Sequence, residues 1–150
     1  MPSIRQKNAA GTASRDEMRT VIVTAALIIE QGKILVTQRK KDSSHGLLWE
    51  FPGGKVKERE EPRGALRREL REELDVEVEV GMIFDAVFYA YPEYPILLLV
   101  YRCRIEKGSL KPIGCHDLRW VYLRELETLA MPPADDPIRK HLGSFEEGFL

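Results

Sequence analysis

Leu66, Leu70 and Leu74 recur at every fourth position of residues 62–74, PRGALRRELREEL, and every other residue between Leu66 and Leu74 is charged. A helix written this way carries one narrow apolar stripe, so it must lie against a layer built from the rest of the chain. Pro62 suits its first turn, where a missing N–H costs nothing. Wound at about 100° per residue, the leucines span roughly 80°, and Arg67, Arg71 and Arg68 fall roughly between 100° and 200°. Glu72, Glu69 and Glu73 fall roughly between 240° and 340°, with only Ala65 among them. The charges are sorted by sign, and the acidic arc borders the leucines.

The sequence around the helix supplies the layer. TVIVTAALII (residues 20–29) is an almost unbroken β-branched apolar run, as expected of a strand covered on both faces, and KILVTQ (33–38) reads as its hairpin partner across Gly32. LLWEF leads to Pro52-Gly53-Gly54, where a turn with unusual backbone angles is expected. Val76, Val78 and Val80 alternate with Glu77 and Glu79 as in a half-exposed strand. Residues 83–91 and 96–105 read as two more strands across a PEYP turn, and 118–123 as another. RELETLA forms a short helical turn, and Asp135 or Asp136 could cap a last helix starting at Pro137 and ending near His141. Strands pairing as hairpins, with one central and one terminal helix, predict an α/β (α+β) domain with a mixed β-sheet between helices. Residues 1–19 read as a flexible N-terminal tail and 143–150 as a loose C-terminal one in which Phe145 and Phe149 could dock.

Composition excludes several classes. The 150 residues suit one domain, and a net charge of −1 gives no global attraction to a nucleic-acid polymer or an anionic membrane. No apolar run is long enough to span a bilayer, and residues 1–19 lack the apolar core of a secretory signal, so a cytoplasmic location is the default. Cys103 and Cys115 make neither a disulfide framework nor a metal-type pair, and both read as reduced thiols.

The acidic arc has two readings. One is a solvated face laced by ion pairs such as Arg68–Glu72. Yet Glu69 repels Glu72 and Glu73 at about 0.2–0.5 kcal/mol per pair, and proximity to the leucines adds desolvation. The other is a divalent cation site, since Mg²⁺ takes one or two carboxylates, waters and phosphate oxygens. Upstream, the glycines could bring bare N–H groups to a phosphate, Lys55 follows them, and Glu60 stands just ahead of the helix.

The segment resembles the Nudix box, G-x5-E-x7-R-E-U-x-E-E-x-G-U with U aliphatic. Gly54, Glu60, Arg68, Glu69, Leu70, Glu72, Glu73 and Val76 fall on its positions; Asp75 replaces the usual glycine, and Asp tolerates the left-handed conformation that glycine adopts there. The resemblance implies a Nudix-type α/β/α sandwich over residues 20–142 and Mg²⁺-dependent hydrolysis of a nucleoside diphosphate linked to another group, with Mn²⁺ able to substitute. It implies Glu72 and Glu73 as main metal ligands, Glu69 as ligand or base for the attacking water, Gly53 at the metal, Arg68 orienting the glutamates and Glu60 in support.

LWEFPGGKV resembles the MutT-like branch, which cleaves nucleoside triphosphates to monophosphate and pyrophosphate, and so implies a small-molecule nucleotide substrate for a monomer or homodimer. By the same resemblance Arg39, with Lys55 and Gly54, would meet the phosphates, and Asp117, read as a loop residue in CHDLRW, would add an acidic ligand or base; the phosphate role is favoured for Arg39 over that of a solvated strand end, and His116 reads as a surface residue. In MPPADDP, Asp135 stands where 8-oxoguanine-specific relatives carry asparagine and related cytidine triphosphate pyrophosphatases carry Asp. An ionised carboxylate accepts from an amino group but cannot donate to a base carbonyl unless protonated. Asp135 could instead be a plain helix cap. Phe51, Phe88 and Tyr91 are candidates to stack on a base, or simply core. Substrates of the 8-oxo-dGTP or CTP/dCTP type lead, with a nucleoside diphosphate sugar or dinucleotide hydrolase, or a non-catalytic nucleotide sensor, as alternatives.

Overall fold

A computed structural model describes residues 19–145. Seven strands form a mixed sheet: β1 (Val21–Glu30), β2 (Lys33–Gln38), β3 (Trp49–Glu50), β4 (Gly53–Lys55), β5 (Glu77–Ala90), β6 (Pro95–Lys107) and β7 (Asp117–Tyr122). The helices among the described residues are α1 (Pro62–Leu74), α2 (Leu123–Leu126) and α3 (Asp136–Gly143), the last entered through a 3₁₀ turn at Pro133–Asp135. Helices cover both faces of the sheet, giving an α/β/α sandwich.

β1 is the spine. Along one edge it pairs parallel with β6 from Val21↔Ile96 to Ile28↔Cys103, and β6 pairs antiparallel with β5. Its other edge forks: Val23, Thr24 and Ala25 pair with β4, whereas Ile29 and Glu30 pair with β2, which also holds β3 and β7. The apolar run of β1 is explained by its two covered faces. Ala25 and Leu27 belong to the core beneath α2 and α3, and Ala26 and Ile28 to the core beneath α1.

α1 lies on the second face. Leu66, Leu70 and Leu74 are fully buried against Ile28, Leu35, Val76, Val78 and Tyr101, each contributing roughly 1.5–3 kcal/mol of apolar burial. Its N-terminus is capped by Glu61, which accepts from the N–H groups of Arg63 and Gly64 at 3.0 and 2.9 Å. At the C-terminus Asp75 adopts φ 59° and ψ 38°, its N–H donating to the Arg71 carbonyl. The residue standing in the glycine position therefore keeps the left-handed stop.

Three local expectations are corrected. Residues 77–90 form one strand, because β6 pairs with both halves and bulges around Gly81–Phe84 absorb the break in alternation. Gly53-Gly54 is no turn of unusual angles but part of β4, neither glycine having positive φ. What both need is space: a Cβ on Gly53 would come within 2.0 Å of the Thr24 carbonyl oxygen, and one on Gly54 within 2.4 Å of the Glu69 carboxyl. Asp117 lies not in a loop but opposite Gln38 as the first residue of β7. The tail readings fall mostly outside the described residues, Phe149 included; Phe145 stands 6.1 Å from Phe84 and 5.6 Å from His141, ring to ring.

Candidate active site

Arg68 is the hub of the acidic face. Its Nε and Nη2 donate to the two Glu60 carboxylate oxygens at 2.7 and 2.9 Å, a bidentate pair. Its Nη1 donates to Glu69 at 3.0 Å and Glu72 at 3.2 Å, and Nη2 also reaches the Lys55 carbonyl at 3.2 Å. One guanidinium thus joins three carboxylates to the strand carrying the glycines. The Arg68 hydrogen bonds, aided by the Lys57 N–H, draw the Glu60 carboxyl down to about 2. The hub answers part of the repulsion expected of the arc, because Glu69 and Glu72 each share its positive charge.

Glu73 is left out of that network. Its Oε2 is buried with no hydrogen-bond partner. Burial first, then the charges of Glu50 and Glu69, push its carboxyl up to about 9, against the nearby Arg39 charge and the Gly53 N–H. Glu69 and Glu50 are also raised, chiefly by burial. Glu72 and Glu73 sit in the last turn of α1, whose carbonyl end is already negative. The backbone there is clamped: Ile113 and Gly114 donate their N–H groups to the Glu73 carbonyl at 3.1 and 2.9 Å. A Cβ on Gly114 would meet the Glu73 Cα at 2.8 Å. An orphaned carboxylate oxygen with the acids Glu50 and Glu69 nearby fits a hard divalent cation. Among the described residues no three acidic, His or Cys side chains already close into a metal cage.

Beside this cluster a cavity of about 410 Å³ opens between β1, β4, β6, the β2–β3 loop and the turn at residues 132–135. Glu50, Gly53, Gly54 and Lys55 line it on one side, and Tyr91, Ala134 and Asp135 on another. Arg39 also lines it, but its Nη1 pairs with Glu50 at 3.0 Å and its Nε with the Ser44 carbonyl at 2.7 Å. The Lys55 ammonium lies 5.0 Å from the centre of the Tyr94 ring. Asp117 is exposed and accepts from the Leu118 N–H, and His116 is exposed as expected. Phe51 lines the cavity while being only 3 % exposed overall, whereas Phe88 is 62 % exposed and lies outside the cavity.

Asp135 is 6 % exposed and makes no capping hydrogen bond to α3, which argues against a plain helix cap. Burial, reinforced by the Glu50 charge, pushes its carboxyl well up from the ordinary range. In its neutral form the group donates as well as accepts, which removes the restriction expected of a carboxylate.

Sequence reasoning missed Glu50. It bears on Arg39, Glu73 and Asp135 alike, and the signal available was an acid between two buried aromatics, Trp49 and Phe51. The clamp at Ile113–Gly114 was missed too, being 40 residues from the carbonyl it caps.

A mixed sheet between helices, carrying an arginine-centred cluster of carboxylates beside a cavity, defines a class, and the sequence comparison agrees with it: the chain belongs to the NUDIX domain family, whose model matches residues 24–141. It is a Nudix hydrolase of the MutT-like branch. The CTP pyrophosphohydrolase of Escherichia coli (strain K12) is 53% identical over 121 residues, covering 81% of this chain and 90% of that one. The 8-oxo-dGTP diphosphatase of the same organism is 31% identical over 111 residues, covering 73% and 84%. The solution structure of the E. coli ORF135 protein superposes with a TM-score of 0.73 at 34% identity, covering 88% of this chain and 94% of that one. Nudix hydrolases generally need a divalent metal ion. No helix among the described residues is long and apolar enough to cross a membrane.

Proposed function

We propose that this chain is a Mg²⁺-dependent pyrophosphohydrolase of nucleoside triphosphates, acting on CTP or dCTP and releasing the monophosphate and pyrophosphate. The cavity carries this reading: it runs from the glycines backing the carboxylate cluster to a buried acid able to meet a base, Asp135. The 53% identity to a CTP pyrophosphohydrolase supports the choice of base.

Glu69, Glu72 and Glu73, with the Gly53 carbonyl and Asp117, would hold the metal, which when bound neutralises phosphate charge and sharpens the attacking water. Glu69, raised by burial, is suited to take the proton from that water. Arg68 keeps Glu69 and Glu72 in register with Glu60, so the carboxylates meet the substrate in a fixed arrangement. Lys55 and the Gly54 backbone border the path of the triphosphate, and Arg39 joins them once substrate competes with Glu50 for its guanidinium. Asp135 reads the base.

The test is turnover of CTP, dCTP and 8-oxo-dGTP with Mg²⁺, scoring pyrophosphate against inorganic phosphate. Pyrophosphate from the cytosine nucleotides is expected; inorganic phosphate alone, or no turnover of any triphosphate, overturns the proposal. A preference for 8-oxo-dGTP is the second reading, favoured by the relatives bearing that name and by the donor that a neutral Asp135 offers to a base carbonyl.

A further inference from the structure

We propose that Tyr91 is a second base-reading residue, whose hydroxyl donates a hydrogen bond to the ring carbonyl of the cytosine that Asp135 contacts. This rests on the cytosine reading of the cavity given above.

Tyr91 follows directly on β5 and reaches the far end of the cavity. Its hydroxyl oxygen accepts the Ala134 N–H at 3.1 Å, and Ala134 is the neighbour of Asp135. That bond occupies a lone pair and leaves the phenolic proton available to donate. The ring packs against two others, Tyr89 at 4.5 Å and His45 at 5.4 Å between centroids. Tyr91, Ala134 and Asp135 all line the same wall. A phenol fixed through its oxygen and its ring, beside a buried acid, makes a preorganised pair of hydrogen-bonding groups.

The chemistry of the bases gives the pair a purpose. Cytosine and adenine both present an exocyclic amine next to a ring-nitrogen acceptor, so Asp135 alone meets the same pattern on each. Cytosine adds a carbonyl on the far side of that nitrogen, and adenine has none. A fixed O–H donor there favours cytosine over adenine, because with adenine the donor is left without a partner.

The experiment compares kcat/KM for CTP and ATP, with Mg²⁺, in the unmodified chain, Tyr91→Phe and Asp135→Ala. Phenylalanine keeps the ring packing and removes only the hydroxyl. The CTP-over-ATP ratio is expected to fall about tenfold in Tyr91→Phe, the loss of one hydrogen bond, with the change carried by KM. Asp135→Ala is expected to weaken both substrates. An unchanged ratio in Tyr91→Phe, whether both rates fall together or neither moves, overturns the assignment and leaves Tyr91 a support for the turn. A thermal unfolding curve of Tyr91→Phe separates that case, since a lost support lowers Tm and weakens both substrates alike. If the unmodified chain releases no pyrophosphate from CTP, the cytosine reading falls first and takes the Tyr91 assignment with it.

Discussion

Replacing Glu73 by glutamine should stabilise the metal-free protein while removing its activity. From an ordinary 4.5 the Glu73 carboxyl is pushed up to about 9, burial being the main cause. Below pH 4.5 it is protonated in the folded and unfolded chain alike, and ionisation costs nothing. Between 4.5 and 9 the folded protein keeps a proton that the unfolded chain has released, so stability falls as pH rises, by about 1.36 kcal/mol per pH unit. At pH 7 the loss is roughly 3 kcal/mol relative to a side chain that never ionises. Glu50 and Glu69 supply part of the push, so this is an upper figure. Glutamine has nearly the same shape and escapes the whole loss. For a domain of this size roughly 3 kcal/mol corresponds to about 6–12 °C in Tm. Thermal unfolding in EDTA at pH 5, 7 and 8 would show Glu73→Gln drawing further above the unmodified chain at each step. Mg²⁺ should then raise the Tm of the unmodified chain and leave the variant unmoved. A gap that does not grow with pH, or a variant no more stable than the original at pH 8, refutes the charge accounting. Ordinary turnover by the variant refutes the role proposed for the carboxylate.

Arg68→Lys keeps one positive charge but cannot hold Glu60, Glu69 and Glu72 together. The expected result is a loss of at least about a hundredfold in kcat with the circular dichroism spectrum retained. Gly54→Ala would drive a methyl group into the Glu69 carboxyl; kcat should fall at least about tenfold, and a crystal structure should show Glu69 displaced. Asp135→Asn should change the order of substrates in a nucleotide screen more than it changes the best rate, by about 1–3 kcal/mol of discrimination between bases. Leu70→Ala, emptying a fully buried site beneath α1, should cost about 2–5 kcal/mol in urea unfolding.

What could be read from the sequence was what is local in it. The stripe of α1, its proline start, its left-handed stop at Asp75 and the spacing of Arg68, Glu69, Glu72 and Glu73 all lie within one short segment, where helical periodicity converts order into geometry. The glycine pair was located but misjudged: glycine signals either unusual dihedral angles or missing bulk, and only the approach of β1 and Glu69 shows that bulk is the issue. Asp135 was ambiguous because an acid before Asp-Pro looks like a cap; the 3₁₀ turn holds its backbone in the helical region instead, and its side chain is buried. Glu50 showed only as an acid between two aromatics, and its partners left no sign in the sequence. It meets Arg39 because β3 folds back on β2, with Thr37 opposite Glu50, and strand pairing across a loop leaves no periodic trace.

The charges of the site divide into two groups with different consequences. Glu60, Glu69 and Glu72 share Arg68, and Glu50 has Arg39, so these acids are held in place by cations the protein itself supplies. Glu73 has no such partner for its buried oxygen and carries the penalty of burial. A triphosphate approaching this face meets repulsion from every ionised carboxylate, and the pair Arg39–Glu50 must open before its guanidinium can help. A divalent cation would remove the first obstacle: it would give Glu73 a reason to ionise and turn the carboxylates from a barrier into a platform for phosphate. Affinity for the nucleotide should therefore rise steeply with Mg²⁺ and, with Mg²⁺ absent, stay weak even at low ionic strength, where an attraction owed to Lys55 and Arg39 alone would be strongest. Equilibrium binding of a non-hydrolysable CTP analogue across a Mg²⁺ series measures this. Tight binding in EDTA would mean that the basic residues, and not the cation, govern the encounter.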